Sequence, residues 1–124
     1  MKIQESAENY LEAIVVLQQR FGRVRSIDVA NELGFSKPSV SFAMKRLREN
    51  GYVTVDSGGY LSLTGAGTEI AERIYERHKL LTEYFIAIGV DAKTAREDAC
   101  KIEHVISGQT FDAIKGQAKL YLKK

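Results

Sequence analysis

Cys100, Glu103 and His104 place a thiol, a carboxylate and an imidazole within five consecutive residues. All three are side chains that ligate transition metals. If the segment is helical, the spacing of i, i+3 and i+4 puts them on one face. The chain has one cysteine and two histidines, so this turn uses the cysteine and one of the histidines. Three donors leave a coordination sphere incomplete, and the rest must come from elsewhere in the fold or from solvent. The same pattern also reads as a buried cysteine beside an ordinary Glu/His surface pair. The second histidine, His78, lies on an apolar helical stripe, four residues after Ile74 and three before Leu81. On that pattern alone, a lone histidine on an apolar face is more often a satisfied core residue than a ligand.

The elements that must position these groups can be read in order. A chain of 124 residues, 44% hydrophobic and 27% charged, is one domain or two small ones sharing a core. A net charge of +2 says little about partners, so local charge has to decide. A single cysteine excludes an internal disulfide and fits a reducing compartment. The start, Met1 to Ser6, turns polar too soon for a signal peptide, and no apolar run approaches the ~18 residues of a membrane helix. The expectation is a cytoplasmic protein with no membrane partner.

Ser6 is the expected N-cap of a first helix running to about Arg20, in which Tyr10, Ile14 and Leu17 form the apolar stripe. Asn9 and Glu12 lie three apart beside that stripe. A short helix, Ser26 to Leu33, is expected to stop at Gly34, and Ser36 to cap a third helix that Lys37-Pro38 enters and that ends near Asn50. Val40, Met44 and Leu47 form its buried stripe, leaving Lys37, Ser39, Ser41, Phe42, Lys45, Arg46 and Arg48 on its other faces. Two short helices joined through a glycine, the second basic outside its core stripe, read as a helix-turn-helix. From Gly51 to Leu63, two β-branched and aromatic runs flank Gly58-Gly59, a hairpin in the position of a wing. Residues 23–50 carry six Lys/Arg against three acids, a surplus suited to phosphate contacts.

Thr64 opens the longest helix, expected to reach about Ile88 with Ile70, Ile74, Leu81, Phe85 and Ile88 buried. Gly65 and Gly67 permit a tight entry to it; the third glycine of a dinucleotide fingerprint is missing. Asp91 caps a fifth helix, which carries Cys100, Glu103 and His104 and is expected to end near Ser107-Gly108. A last helix, about Thr110 to Leu122, places Phe111, Ile114 and Ala118 on one stripe, with Gly116 weakening its middle. A helix this short must pack to stay folded, and the stripe is expected to pack against a second copy of the chain; packing within its own subunit is the rival. The fold class is therefore mainly α with a small β-hairpin wing. It divides into a winged helix-turn-helix domain, residues 1–63, and an all-helical metal-binding and dimerisation domain, residues 64–124.

Three stretches carry a resemblance. Glu97-Asp98-Ala99-Cys100-Lys101-Ile102-Glu103-His104-Val105-Ile106-Ser107 is the sharpest, supported by Ser36-Lys37-Pro38-Ser39-Val40-Ser41 and by Tyr75-Glu76-Arg77-His78-Lys79-Leu80-Leu81. With them the chain resembles, over nearly its whole length, the diphtheria-toxin-repressor family of metal-dependent transcriptional repressors, in its short two-domain form without an SH3-like third domain. The resemblance implies a homodimer that binds double-stranded operator DNA and a divalent metal held between the first helix and the second domain. It puts Cys100, Glu103 and His104 on the main ligand positions, and Asn9 where the family offers Asp or Met. Glu12 and His78 match ligands of the manganese-type members. Cys100 departs from the Glu of those members and matches the iron-type ones. Asn9 offers only a neutral amide oxygen. Thr82 and Arg96 stand where iron-type members have further donors, so an ancillary site looks missing or rebuilt around Glu12 and His78.

The expected function is a repressor activated by a divalent metal, Fe²⁺ favoured and Mn²⁺ possible, that controls metal homeostasis. Two recognition helices would meet half-sites about one helical turn (~34 Å) or a multiple apart. Ser36, Lys37, Pro38, Ser39, Ser41 and Lys45 would contact DNA. Arg25, together with Arg23, would add backbone contacts, and Phe42 would touch a thymine methyl or stay partly buried. The alternative keeps the DNA binding and makes Cys100 a redox sensor without metal; no resolving cysteine is present in the chain. An enzyme is not expected, because no general base is evident and a winged helix would be idle. No small-molecule substrate is expected either.

Overall fold

The computed structural model describes residues 5–122. Six helices and one hairpin follow in the order α1 (Glu5–Phe21), α2 (Ser26–Leu33), α3 (Lys37–Glu49), β1 (Val53–Val55), β2 (Leu61–Leu63), α4 (Gly65–Ala87), α5 (Ala92–Ile102) and α6 (Gly108–Leu122). They form two compact units, and the division falls inside α4: one unit ends at Glu72 and the other begins at Arg73. The architecture is a winged helix followed by an all-helical portion.

In the first unit the apolar stripes of α1, α2 and α3 and the hairpin share one core. Leu11, Ile14, Leu17, Val29, Val40, Met44, Leu47, Val53 and Leu61 form one buried cluster, with Ala71 of α4 closing it. Each such side chain withdrawn from water contributes roughly 1.5–3 kcal/mol. Gly34 takes a left-handed conformation at φ 70°, open to glycine without a Cβ penalty. That reversal turns the chain from α2 into α3. Ser36 then caps α3, its hydroxyl oxygen accepting from the Ser39 N–H at 3.3 Å, with Pro38 in the first turn.

The wing is antiparallel, Val53 opposite Leu63 and Val55 opposite Leu61. Asp56 Oδ1 accepts from the N–H groups of Gly58 and Tyr60, both at 2.9 Å, which closes the five-residue loop. A third short segment joins it. Leu61 N–H donates to the Val24 carbonyl at 2.7 Å, and Arg25 pairs with Tyr60 as an isolated bridge. Gly67 is required where it stands, because a Cβ there would come within 2.1 Å of the Tyr52 carbonyl oxygen.

The second unit has a smaller core of Leu81, Ala99 and Phe111, with Leu80, Phe85, Ile102, Ile106 and Ile114 packed on it. Tyr84 and Tyr121 meet edge-to-face at 5.8 Å between centroids, and Lys115 Nζ lies 3.4 Å from Glu76 Oε2. Both contacts tie α6 to α4.

Several expectations are corrected. Ser6 lies inside α1, which already includes Glu5. Ile88 is half exposed, because α4 ends at Ala87 and its period does not carry past that residue. The stripe Phe111, Ile114 and Ala118 packs within its own subunit, with Phe111 and Ala118 buried and Ile114 against the core cluster. α5 stops at Ile102, short of Ser107. The last helix consequently begins earlier than expected, at Gly108, and Ser107 caps it by accepting from the Thr110 N–H at 3.1 Å. It runs unbroken through Gly116.

Candidate metal centre

α5 starts cleanly because Asp91 Oδ2 accepts from the Thr94 N–H at 3.1 Å. Its last turn holds Ala99 in the core and leaves Cys100 exposed. Glu103 is the C-cap residue, at φ −56° and ψ −27°, so the chain keeps helical geometry for one residue beyond the helix. His104 follows in a turn that ends before Ser107. Arg77 of α4 explains the stop. Its Nη1 donates to the carbonyls of Glu103 at 3.1 Å and Ile106 at 3.0 Å, taking acceptors that a continuing helix would offer to N–H groups four residues on.

The side chains of Glu103 and His104 are both fully buried. His78 comes in from α4 with its side chain about a third exposed, and its Nδ1–H donates to Glu103 Oε2 at 3.0 Å. His104 Nε2 approaches the other oxygen, Oε1, at 3.3 Å. That approach is an electrostatic contact and not a well-aligned hydrogen bond, and Oε1 accepts no hydrogen bond among the described residues. Burial alone would raise the Glu103 carboxyl. Its contacts with His104 and His78 outweigh burial and hold it below its ordinary value, so the carboxylate stays charged.

A buried carboxylate oxygen without a donor, flanked by two imidazoles, is a costly arrangement for a protein core. It is a suitable one for a divalent transition metal, which takes imidazole nitrogen and carboxylate oxygen together. His78 and Glu103 suit such an ion, an imidazole and a carboxylate brought together, and His104 stands beside the other carboxylate oxygen. Of the other sequence candidates, Cys100 sits in the exposed last turn of α5. Asn9 and Glu12 belong to the first unit, half-buried on α1.

The candidate DNA-contacting residues Arg25, Ser36, Lys37, Pro38, Ser39, Ser41, Phe42 and Lys45 are all exposed in the first unit. Phe42, at 62% exposure, is not the partly buried aromatic that one reading allowed. The Arg46 guanidinium stands 5.8 Å from its ring centroid. At the wing, Arg23 and Arg25 both lie over Tyr60, at 5.0 and 4.4 Å, which holds two cations in place. Residue types pointed to Arg25; the role of Tyr60 was not visible, since a tyrosine at a strand start is ordinary. Arg77 was missed as well, although it precedes His78.

Residues 2–60 match the N-terminal DNA-binding domain of the iron-dependent repressors, and residues 64–118 match their metal-binding and dimerisation domain. The transcriptional regulator MntR of Escherichia coli O6:H1 is 33% identical over 111 residues, covering 90% of this chain and 72% of that protein. An uncharacterised HTH-type transcriptional regulator of Methanocaldococcus jannaschii is 32% identical, covering 90% of each. Among solved structures, the manganese regulator SloR superimposes with a TM-score of 0.78 at 25% identity, covering 94% of this chain and 54% of that one. A manganese-dependent transcriptional repressor in complex with manganese gives 0.81 at 26% identity, covering 90% and 52%. The chain thus spans about half the length of these solved relatives. The matches in sequence and fold make the chain a member of the iron-dependent (diphtheria-toxin-repressor/MntR) family of metal-dependent transcriptional repressors, which are not enzymes.

Proposed function

We propose that this chain is a metal-activated repressor that binds double-stranded operator DNA as a homodimer and governs genes of metal homeostasis. The observation that carries this reading is the buried Glu103 carboxylate between His78 and His104, in a chain whose other unit exposes a basic helix-turn-helix. A divalent cation would supply the positive charge that lets an acceptor-only carboxylate and imidazole lone pairs converge. His78, Glu103 and His104 are the proposed ligands from the second unit, with Cys100 added by its family position. Asn9 and Glu12 of α1 are the proposed donors from the first. In this reading metal binding and operator binding form one linked equilibrium. Whatever factor metal adds to operator affinity, operator adds to metal affinity.

On the DNA, Lys37, Lys45 and Arg25 meet phosphates, while Ser39 and Ser41 reach phosphates or base edges near the start of α3 fixed by Ser36 and Pro38. Phe42, being exposed, meets a thymine methyl.

For the metal, Fe²⁺ is proposed ahead of Mn²⁺. The relatives named for manganese show that the family's fold accommodates that ion, but a thiolate at Cys100 is a softer donor than a carboxylate and moves preference away from Mn²⁺. The test is an anaerobic titration against an operator recovered from genomic DNA by metal-dependent selection, with EDTA, Mn²⁺ or Fe²⁺. Fe²⁺ should activate at lower concentration, and Cys100→Glu should shift the order toward Mn²⁺. Equal operator affinity with and without metal rejects activation, and an unchanged metal order in Cys100→Glu rejects the thiol as a ligand.

A further inference from the structure

We infer that Arg77 is a positioning residue of the metal centre, acting through the backbone of the turn that carries Glu103 and His104. The inference rests on the metal-site reading above and goes beyond it, since Arg77 offers no ligand atom and touches the donors only through main-chain carbonyls.

A helix end leaves its last carbonyls without N–H partners, and a turn of four residues held only by its own backbone would fluctuate. The structure gives residues 103–106 a cross-brace. The two N–H bonds of Arg77 Nη1 go to two carbonyls three residues apart, Glu103 at 3.1 Å and Ile106 at 3.0 Å. His104 lies between those two anchors, so fixing them fixes the direction in which both the Glu103 and the His104 side chains leave the main chain. The guanidinium is itself held, because it lies over the Phe111 ring at 5.4 Å and Phe111 is buried in the core of the second unit. Arg77 Nε is buried without a hydrogen-bond partner among the described residues. The side chain is therefore held in place by Nη1 and the ring contact, at a cost that a solvated arginine would avoid.

The adjacent residue completes the device. His78 follows Arg77 in the chain, so one turn of α4 both supplies an imidazole to Glu103 Oε2 and anchors the Glu103 backbone. A planar, forked guanidinium suits the task; the compact ammonium of lysine cannot hold the same geometry on two carbonyls and an aromatic face. Partners that orient ligands in this way typically change metal affinity 10- to 100-fold when removed.

The experiment uses the full chain with Co²⁺ as the probe, because its d–d absorption reports ligand geometry. Arg77→Met and Arg77→Lys are compared with wild type by circular dichroism, Co²⁺ affinity, the d–d spectrum and amide exchange at Val105 and Ile106 in metal-free protein. Arg77→Met should keep its helical content, bind Co²⁺ about 10- to 100-fold more weakly, shift the d–d band and exchange faster in the turn. Arg77→Lys should recover part of the affinity. A folded Arg77→Met with wild-type affinity and band overturns the inference, and so does one that only melts earlier. If Arg77→Met does not fold, Arg77→Lys decides: a wild-type affinity and band in it overturn the inference, and a weakened affinity with an altered band support it. Wild-type protein that fails to bind Co²⁺ would instead remove the metal reading itself.

Discussion

α3 and the turn after α5 carry the proposed DNA-contacting and metal-ligating side chains, and they hold them in opposite environments. On α3, Lys37, Ser39, Ser41, Phe42 and Lys45 stand in solvent, and only the stripe Val40, Met44 and Leu47 is buried. After α5, the side chains of Glu103 and His104 are wholly buried; His78 of α4 holds one Glu103 oxygen, His104 meets the other, and Arg77 of α4 holds the backbone of the turn. The contrast follows from the ligands. A phosphate backbone is long, hydrated and everywhere alike, so exposed cations on a rigid helix suffice, and much of the affinity comes from counterion release. A metal ion is one small charge, and discrimination requires donors already converged before it arrives. Substitutions in the first region should therefore tune an affinity, and substitutions in the second should abolish a site.

The largest expected effect tests that directly. Glu103→Gln keeps the shape of the side chain and removes its charge. Mn²⁺ affinity measured by calorimetry should fall by more than about 100-fold, beyond the range for an orienting partner, with helical content retained. Unchanged affinity in a folded variant would remove Glu103 from the site and with it the contrast between the regions.

Ile114→Asp comes next. Ile114 packs, half-buried, on the core of its own unit, so a carboxylate there should cost about 1 kcal/mol of stability, the low end for an unsatisfied polar group. The expected reading is an earlier melting transition of the second unit. A folded, equally stable monomer would restore α6 as the dimer face that its stripe suggested.

Lys45→Ala should act on operator binding alone. The plot of log affinity against log salt should flatten by about 1 if the ammonium meets a phosphate, with Mn²⁺ affinity of the free protein unchanged. A loss of Mn²⁺ affinity in this variant would show that the two regions are not separable in the way their environments suggest.

How much of this was legible in the sequence depended on whether the signal was local. Gly34, Ser36 and Pro38 mark their turn and cap chemically, and the helix-turn-helix could be read residue by residue. His78 could not be decided from its stripe, because an imidazole on an apolar face has the same pattern whether it meets a carboxylate or a methyl group. The spacing of Cys100, Glu103 and His104 suggested a site and implied one continuous helix. In the structure the helix ends between the first and second of these, and Cys100 is exposed while the other two are buried. What ends the helix is Arg77, more than twenty residues earlier, and an arginine on a helix ordinarily reads as a solvated face. Contacts of that range leave no periodic trace.

The smallest effect separates two carboxylates whose pKa values are lowered for different reasons. Glu103 is lowered against burial by two imidazoles; Asp91 is exposed and is lowered chiefly by the backbone N–H of Thr94 that it caps. A carboxyl lowered in the folded state adds stability that is complete above its ordinary value, 3.8 for Asp91, and is lost as pH falls through the folded value. Asp91→Asn retains an acceptor for the Thr94 N–H but loses the charge that favours a helix N-terminus. The variant should therefore melt slightly below wild type at pH 7, and the gap should close as the pH is lowered below 3.8. Because the group is exposed, high salt should shrink the gap at pH 7. A gap that persists unchanged at low pH would mean that hydrogen-bond geometry, and not charge, makes Asp91 the better cap. The corresponding acid limb for Glu103 should resist salt more, because its carboxylate is wholly buried.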